Sequence, residues 1–163
     1  LGASAGIEPA IVSASQHRQG QELITEIQLD LGTSEATLQD GSGTGGVIGV
    51  ASKNAAITQL TVAKYGVITE IRGVLLETLD GGLDVTVSLH TDDVATDSTA
   101  PTPTDVADLN VVGEDKSHLY DASTATADKY LLLEQGGSAD NDGTLSQGKL
   151  VIYIHGFVVP ADK

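Results

Sequence analysis

The stretch GVITEIRGVLLETLDGGLDVTVSLH, residues 66–90, decides the fold. Its second half alternates without a break. Leu83, Val85, Val87 and Leu89 are apolar, while Asp84, Thr86, Ser88 and His90 are polar. A side-chain period of two is that of a β-strand with one wet face. The first half carries Val67, Ile68, Ile71, Val74, Leu75, Leu76 and Leu79, apolar on both faces near its end, as a covered strand is. Between the halves, Asp80-Gly81-Gly82 can supply the positive φ angles of a tight turn, which predicts a β-hairpin.

The same pattern recurs on both sides of this stretch. From Glu22 to Leu31, Leu23, Ile27, Leu29 and Leu31 alternate with Glu26, Gln28 and Asp30, a strand with one solvated face. Asp40 to Gly46 (DGSGTGG) reads as a turn or loop. Residues 47–63 are ambiguous, because Ala51 to Ala63 could form a short helix while Ile57, Thr58, Thr61 and Val62 favour a strand. Downstream, residues 91–128 are a polar excursion in which Pro101 and Pro103 oppose pairing. Val106, Leu109, Val111 and Val112 offer at most one short strand there. Tyr130 to Leu133 resumes as a strand, and GGSADNDG (136–143) turns the chain. Lys149 to Val159 closes it, with Leu150, Ile152 and Ile154 on one face and Val151, Tyr153 and Phe157 on the other. Such a strand is central, or its outer face meets another subunit.

These segments predict an all-β chain, a single-domain β-sandwich with a jelly-roll topology. Residues 1–21 are small and polar and read as a flexible or partner-bound N-terminal arm. Residues 22–163 form the sandwich, with 91–128 as a long acidic loop insertion.

Composition narrows the function classes. The 163 residues carry a formal charge of −15, and residues 80–142 hold 14 of the 23 carboxylates against only Lys116 and Lys129. Eight scattered basic residues cannot form a stripe against phosphates, so nucleic-acid binding is not expected. High acidity favours solubility, and it equally suits a saline setting. No apolar run approaches the ~18–20 residues of a membrane helix, and residues 1–20 lack the basic start and apolar stretch of a secretory signal. Neither Cys nor Trp occurs, so thiolate chemistry is absent and the core must come from Val, Ile, Leu and Ala. With no Met in the chain, Leu1 is not a translation start. Either an initiator was trimmed or the sequence begins downstream of the true terminus.

The chemistry-bearing motifs each have a plainer reading. Gly41, Gly43 and Gly46 match the G-x-G-x-x-G spelling of a dinucleotide loop, but Thr37-Leu38-Gln39-Asp40 is not the buried strand that such a loop must follow. Asp140-Asn141-Asp142-Gly143 resembles part of a calcium loop. Aligning Gly143 with its glycine places Ser138, Asp140 and Asp142 at the first, third and fifth positions but Lys149 where a bidentate Glu is required, so an acidic turn competes. His17, His90, His118 and His155 share no ligand spacing. His90 with Asp92 and Asp93 could touch a metal, although polar residues at a strand end look the same. There is no G-x-S-x-G elbow. Spacing alone leaves paired glycosidase carboxylates open, yet Phe157 and four tyrosines offer few sugar platforms. The chain is read as non-enzymatic, with no catalytic, cofactor-binding or metal-binding residue assigned and no cofactor.

Two stretches carry a resemblance: TVAKYGVITEIRGVLLETLDGGLDVTVSLHTDD (61–93) and GTLSQGKLVIYIHGFVVP (143–160). They resemble the small β-rich structural proteins of tailed phages, marine ones especially, of the head-decoration or virion-accessory kind. The likeness spans about half the chain, rests on no diagnostic motif and transfers no functional residue. It implies a virion protein, assembled in the host cytoplasm, whose partners are the major capsid protein or other virion proteins and which forms a homo-oligomer. The alternative is a glycan-binding module or adhesin using the 91–128 loop, with calcium assistance.

Overall fold

The computed structural model describes residues 1–32, 38, 46–79, 84–95, 104–120, 128–136 and 144–158. In chain order these form β1 (Ile11–Gln19), β2 (Glu22–Asp30), β3 (Thr58–Gln59), the helical turn α1 (Val62–Tyr65), β4 (Val67–Glu77), β5 (Asp84–His90), β6 (Thr104–Leu109), β7 (Asp115–Leu119), β8 (Tyr130–Gly136) and β9 (Lys149–Phe157). Two antiparallel sheets result, ordered β1-β2-β9-β4-β7 and β3-β8-β5-β6. The expected β-sandwich is the architecture found.

Alternation places the core between the sheets. Ile27, Leu29, Ile71, Leu75, Leu150, Ile152 and Ile154 of one sheet and Val85, Val87, Leu89, Leu109, Leu131 and Leu133 of the other are all buried. Each such side chain contributes about 1.5–3 kcal/mol by leaving water. β9 is a central strand, paired with β2 on one edge and β4 on the other. That position accounts for its near-continuous apolar run.

Three expectations are corrected. The hairpin between β4 and β5 does not form. β4 pairs with β9 and β7, whereas β5 pairs with β8 and β6 in the other sheet. Residues 80–83 of that connection lie outside the described residues. The turn signal was local, and the apolar face of β9 supplied a longer partner for β4 than β5 could. The 91–128 segment is not a loop throughout, because it contains both β6 and β7. β6 delivers Val106, Ala107 and Leu109 to the core, but β7 (DKSHL) is a polar edge strand with no apolar alternation to betray it. Residues 1–21 are likewise more than an arm. Ile7 and Ala10 are fully buried, and β1 pairs with β2 along its length. A two-residue turn joins them, with Gly20 at φ +64°, the glycine-first signature of a II′ hairpin.

The ambiguous 47–63 segment resolves into both candidates. Val47 bridges to Glu134, β3 pairs with β8, and α1 makes one helical turn.

Candidate functional site

Strand register assigns each side chain to a face of the five-stranded sheet. Ile27, Ile152 and Gly73 align and point inward. Their neighbours in sequence therefore point outward, forming rows across β2, β9, β4 and β7. One row is Ile24, His155, Glu70 and Leu119; the next is Glu26, Tyr153, Arg72 and Ser117; a third is Gln28, Val151, Val74 and Asp115. Phe157 stands between Glu22 and Val67. Apolar and polar side chains are thus interspersed on this face: Phe157 and Val67 stand at one end and Val151 and Val74 toward the other, with His155 and Tyr153 between them on β9, Glu70 and Arg72 between them on β4, and Leu119 beyond Glu70. Phe157 is 45% exposed and Leu119 75% exposed.

The polar groups on this face are tied to one another. The Arg72 guanidinium lies 4.6 Å from the Tyr153 ring centre, and its Nε is 3.4 Å from Asp115 Oδ1. His155 Nδ1 is 3.4 Å from Glu22 Oε1. At one rim, Lys149 Nζ donates to Glu77 Oε2 at 2.7 Å, which holds the ammonium pKa above its ordinary value.

β1 overhangs this sheet. From Val12 to Gln19 every residue is exposed. A cavity of about 140 Å³ opens there, lined by Leu1, Ala14, Ser15, Gln16, Thr25, Lys64 and Tyr65. Gln16 spans it, donating to Thr25 Oγ1 and to the Lys64 carbonyl, each at 2.9 Å. The Tyr65 hydroxyl donates to Thr58 Oγ1 at 2.7 Å, and burial raises its pKa. Lys64 donates to Thr58 Oγ1 and to the Leu1 carbonyl, while desolvation lowers its pKa.

A second polar group lies inside the protein. Thr86, Ser88 and His90, read as the wet face of β5, are buried, as is Glu134 of β8. Ser88 Oγ donates to Glu134 Oε2 at 2.6 Å. His90 Nε2 is 3.0 Å from Glu134 Oε1, close enough for an ion pair but out of line for a hydrogen bond. The carboxylate stands between the hydroxyl and the imidazole, so the histidine is not placed to take the serine proton as a catalytic triad requires. With His90 and Glu134 both sealed from solvent, the trio reads as an internal polar clamp.

The other sequence candidates separate in space. His17 lies on β1, His118 stacks 4.6 Å from Tyr120, and His155 lies on β9. His90 turns to Glu134 rather than to Asp92 and Asp93, while Asp93 accepts from Ser4 Oγ and from the Ala56 amide. Among the described residues no group of three or more His, Asp or Glu could hold a metal ion. Gly41 and Gly43, and Ser138, Asp140 and Asp142 of the calcium-loop reading, lie outside the described residues. Gly46 accepts from the Gln135 amide and leads into the Val47 bridge instead of a helix, which argues against a phosphate-cradling loop. The Ser88–Glu134–His90 trio was missed because alternation marks polar strand residues as solvated and carries no sign of a second covering layer.

No family model, curated protein or solved structure matches this chain.

Proposed function

We propose that this protein is a non-enzymatic structural component of a phage particle, a decoration or accessory head protein that packs the outer face of its five-stranded sheet on a capsid lattice. The observation that carries the reading is a set of apolar side chains among charged ones on that face: Phe157 and Leu119 are exposed, and Val67, Val74 and Tyr153 are half-buried. Exposed apolar area rimmed by charge is the usual mark of a protein contact. The carboxylates on this face and the −15 charge oppose indiscriminate association and leave the apolar groups for a shaped partner.

Strand wiring supports the same reading by analogy of fold. Leaving β1 aside, the strand orders β2-β9-β4-β7 and β3-β8-β5-β6 support reading the sandwich as a jelly roll, an eight-stranded pair of Greek keys recurrent in capsid and lectin domains. The role is mechanical: subunits bury this face against a shell and brace it, in the virion.

The test is sedimentation of the chain from lysates of the cells that produce it. Co-sedimentation with megadalton particles is expected, and Phe157→Asp with Leu119→Asp should release the chain into the soluble fraction. A wild-type chain found free as a monomer would overturn the proposal.

A further inference from the structure

Among the described residues the two sheets have four edge strands, and they are closed in different ways. On the smaller sheet, β3 is only two residues long, and β6 carries the exposed Asp108 and a register break opposite Val87 and Ser88. On the larger sheet, β7 is five residues long and begins with Asp115 and Lys116 directly after Glu114. Short length, charges and bulges are the devices by which sheets avoid pairing with other chains. β1 has few of them. It is nine residues long, pairs among the described residues only with β2, and breaks register only at its start, between Ile11 and Ser13.

Among the edge strands longer than two residues, it alone carries no carboxylate. Residues 9–21 contain no carboxylate, and their only charged or titratable side chains are His17 and Arg18. Two molecules of charge −15 repel nearly everywhere, but along this strand backbone amides and carbonyls can approach without opposed carboxylates.

We infer that β1 is the contact of a two-fold homodimer, in which two copies of the strand pair antiparallel about Ser15 and join the five-stranded sheets into one of ten strands. The sequence of β1 fits its own reverse. A two-fold at Ser15 sets Val12 opposite Arg18, Ser13 opposite His17 and Ala14 opposite Gln16, so no like charges face each other. The two Arg18 side chains then stand about 20 Å apart along the strands. Parallel pairing in register would stack them. A two-fold also closes the assembly, because each copy uses the same edge once.

The contact is small, so a dissociation constant in the high micromolar range is expected. Because repulsion between net negative bodies opposes it, the dimer tightens as salt shortens the screening length, the reverse of a contact built on ion pairs. The inference rests on the reading of this chain as an assembly component, and it can fail separately from that reading.

Sedimentation equilibrium on the full chain, up to about millimolar protein, tests it. A dimer is expected, strengthened by added sodium chloride. Ser15 is exposed, so Ser15→Glu and Ser15→Lys should leave the far-UV spectrum unchanged. Each should weaken the dimer about fivefold by opposing like charges across the two-fold. An equimolar mixture of the two variants should dimerise more tightly than either alone. A wild-type monomer at every salt and protein concentration overturns the inference, as does a dimer indifferent to both variants, or a mixture no tighter than its components. If Ser15→Glu is monomeric yet still sediments with particles as wild type does, lattice packing stands without this contact. If the dimer forms but no particle carries the chain, the contact stands without the lattice.

Discussion

Gly73 tests how closely the two sheets meet. It lies on β4 with its Cα hydrogens facing the other sheet. A Cβ there would stand 2.9 Å from Leu109 Cδ1, 3.3 Å from Ala107 Cβ and 3.4 Å from Val87 Cγ2. The tightest neighbour is the tip of a flexible side chain, and the backbone at Gly73 is not in the left-handed region. Gly73→Ala should therefore be nearly neutral, since crowding is offset by the ~0.4–1 kcal/mol gained from a stiffer unfolded chain. Gly73→Val adds two more carbons toward Ala107 and Val87, whose Cβ and branched tip cannot swing away, so overpacking of about 1–3 kcal/mol is expected. Leu109→Ala alone should cost about 2–5 kcal/mol by opening a cavity. Combined, the valine occupies the vacated space, and the double variant should lose about 1–2 kcal/mol less than the sum of the singles. Urea unfolding of all four proteins measures this coupling. In heat, each kcal/mol should appear as about 2–4 °C in a domain of this size. Strict additivity, or a Gly73→Val protein as stable as wild type, would show that the sheets do not touch at this point and would refute the packing argument.

Three further outcomes follow from the same geometry. Glu134→Ala leaves Ser88 Oγ and His90 without their sealed partner and should cost about 3 kcal/mol or more in urea unfolding, with Glu134→Gln milder; equal, small losses from both would remove the clamp. A methyl at Gly156 would collide with the Tyr65 carbonyl oxygen and sit 3.2 Å from the Val67 carbonyl oxygen, both main-chain atoms. Gly156→Ala should thus destabilise by about 3 kcal/mol or more, far beyond Gly73→Ala. Burial pushes the Tyr120 phenol up to about 12 from 10.0, so the folded state favours its neutral form. Its stabilising contribution should be complete below pH 10 and be lost between pH 10 and 12 as the unfolded chain ionises first; alkaline titration of Tyr120→Phe should show a shallower decline, and an unchanged slope would contradict this.

The candidate surface was partly legible. The two apolar faces of Lys149 to Val159 announced either a central strand or a second contact, and the register shows a central strand whose outer face is exposed at Phe157, half-buried at Tyr153 and His155 and buried at Val151. What joined that face to Leu119 was pairing of β4 with β7, and nothing in DKSHL marks it as a strand, because an edge strand held by backbone bonds needs no apolar alternation. β1 was illegible for the same reason. Exposed from Val12 onward, IVSASQHRQ offers no alternating burial pattern, and only its pairing with Glu22 to Leu29 identifies it.

Alternation of apolar and polar residues determined, without coordinates, that this chain is built of strands with a shared aliphatic core, because a period of two is a property of each strand alone. Partner choice was decided only in three dimensions. The Asp80-Gly81-Gly82 connector suits a hairpin, yet β4 found β9 and β5 found β8, since pairing maximises contact over the whole sheet and is not set by the nearest turn. Burial of the polar face of β5 belongs to the same class: a serine, a histidine and a glutamate look solvated until tertiary packing covers them and forces them to satisfy one another.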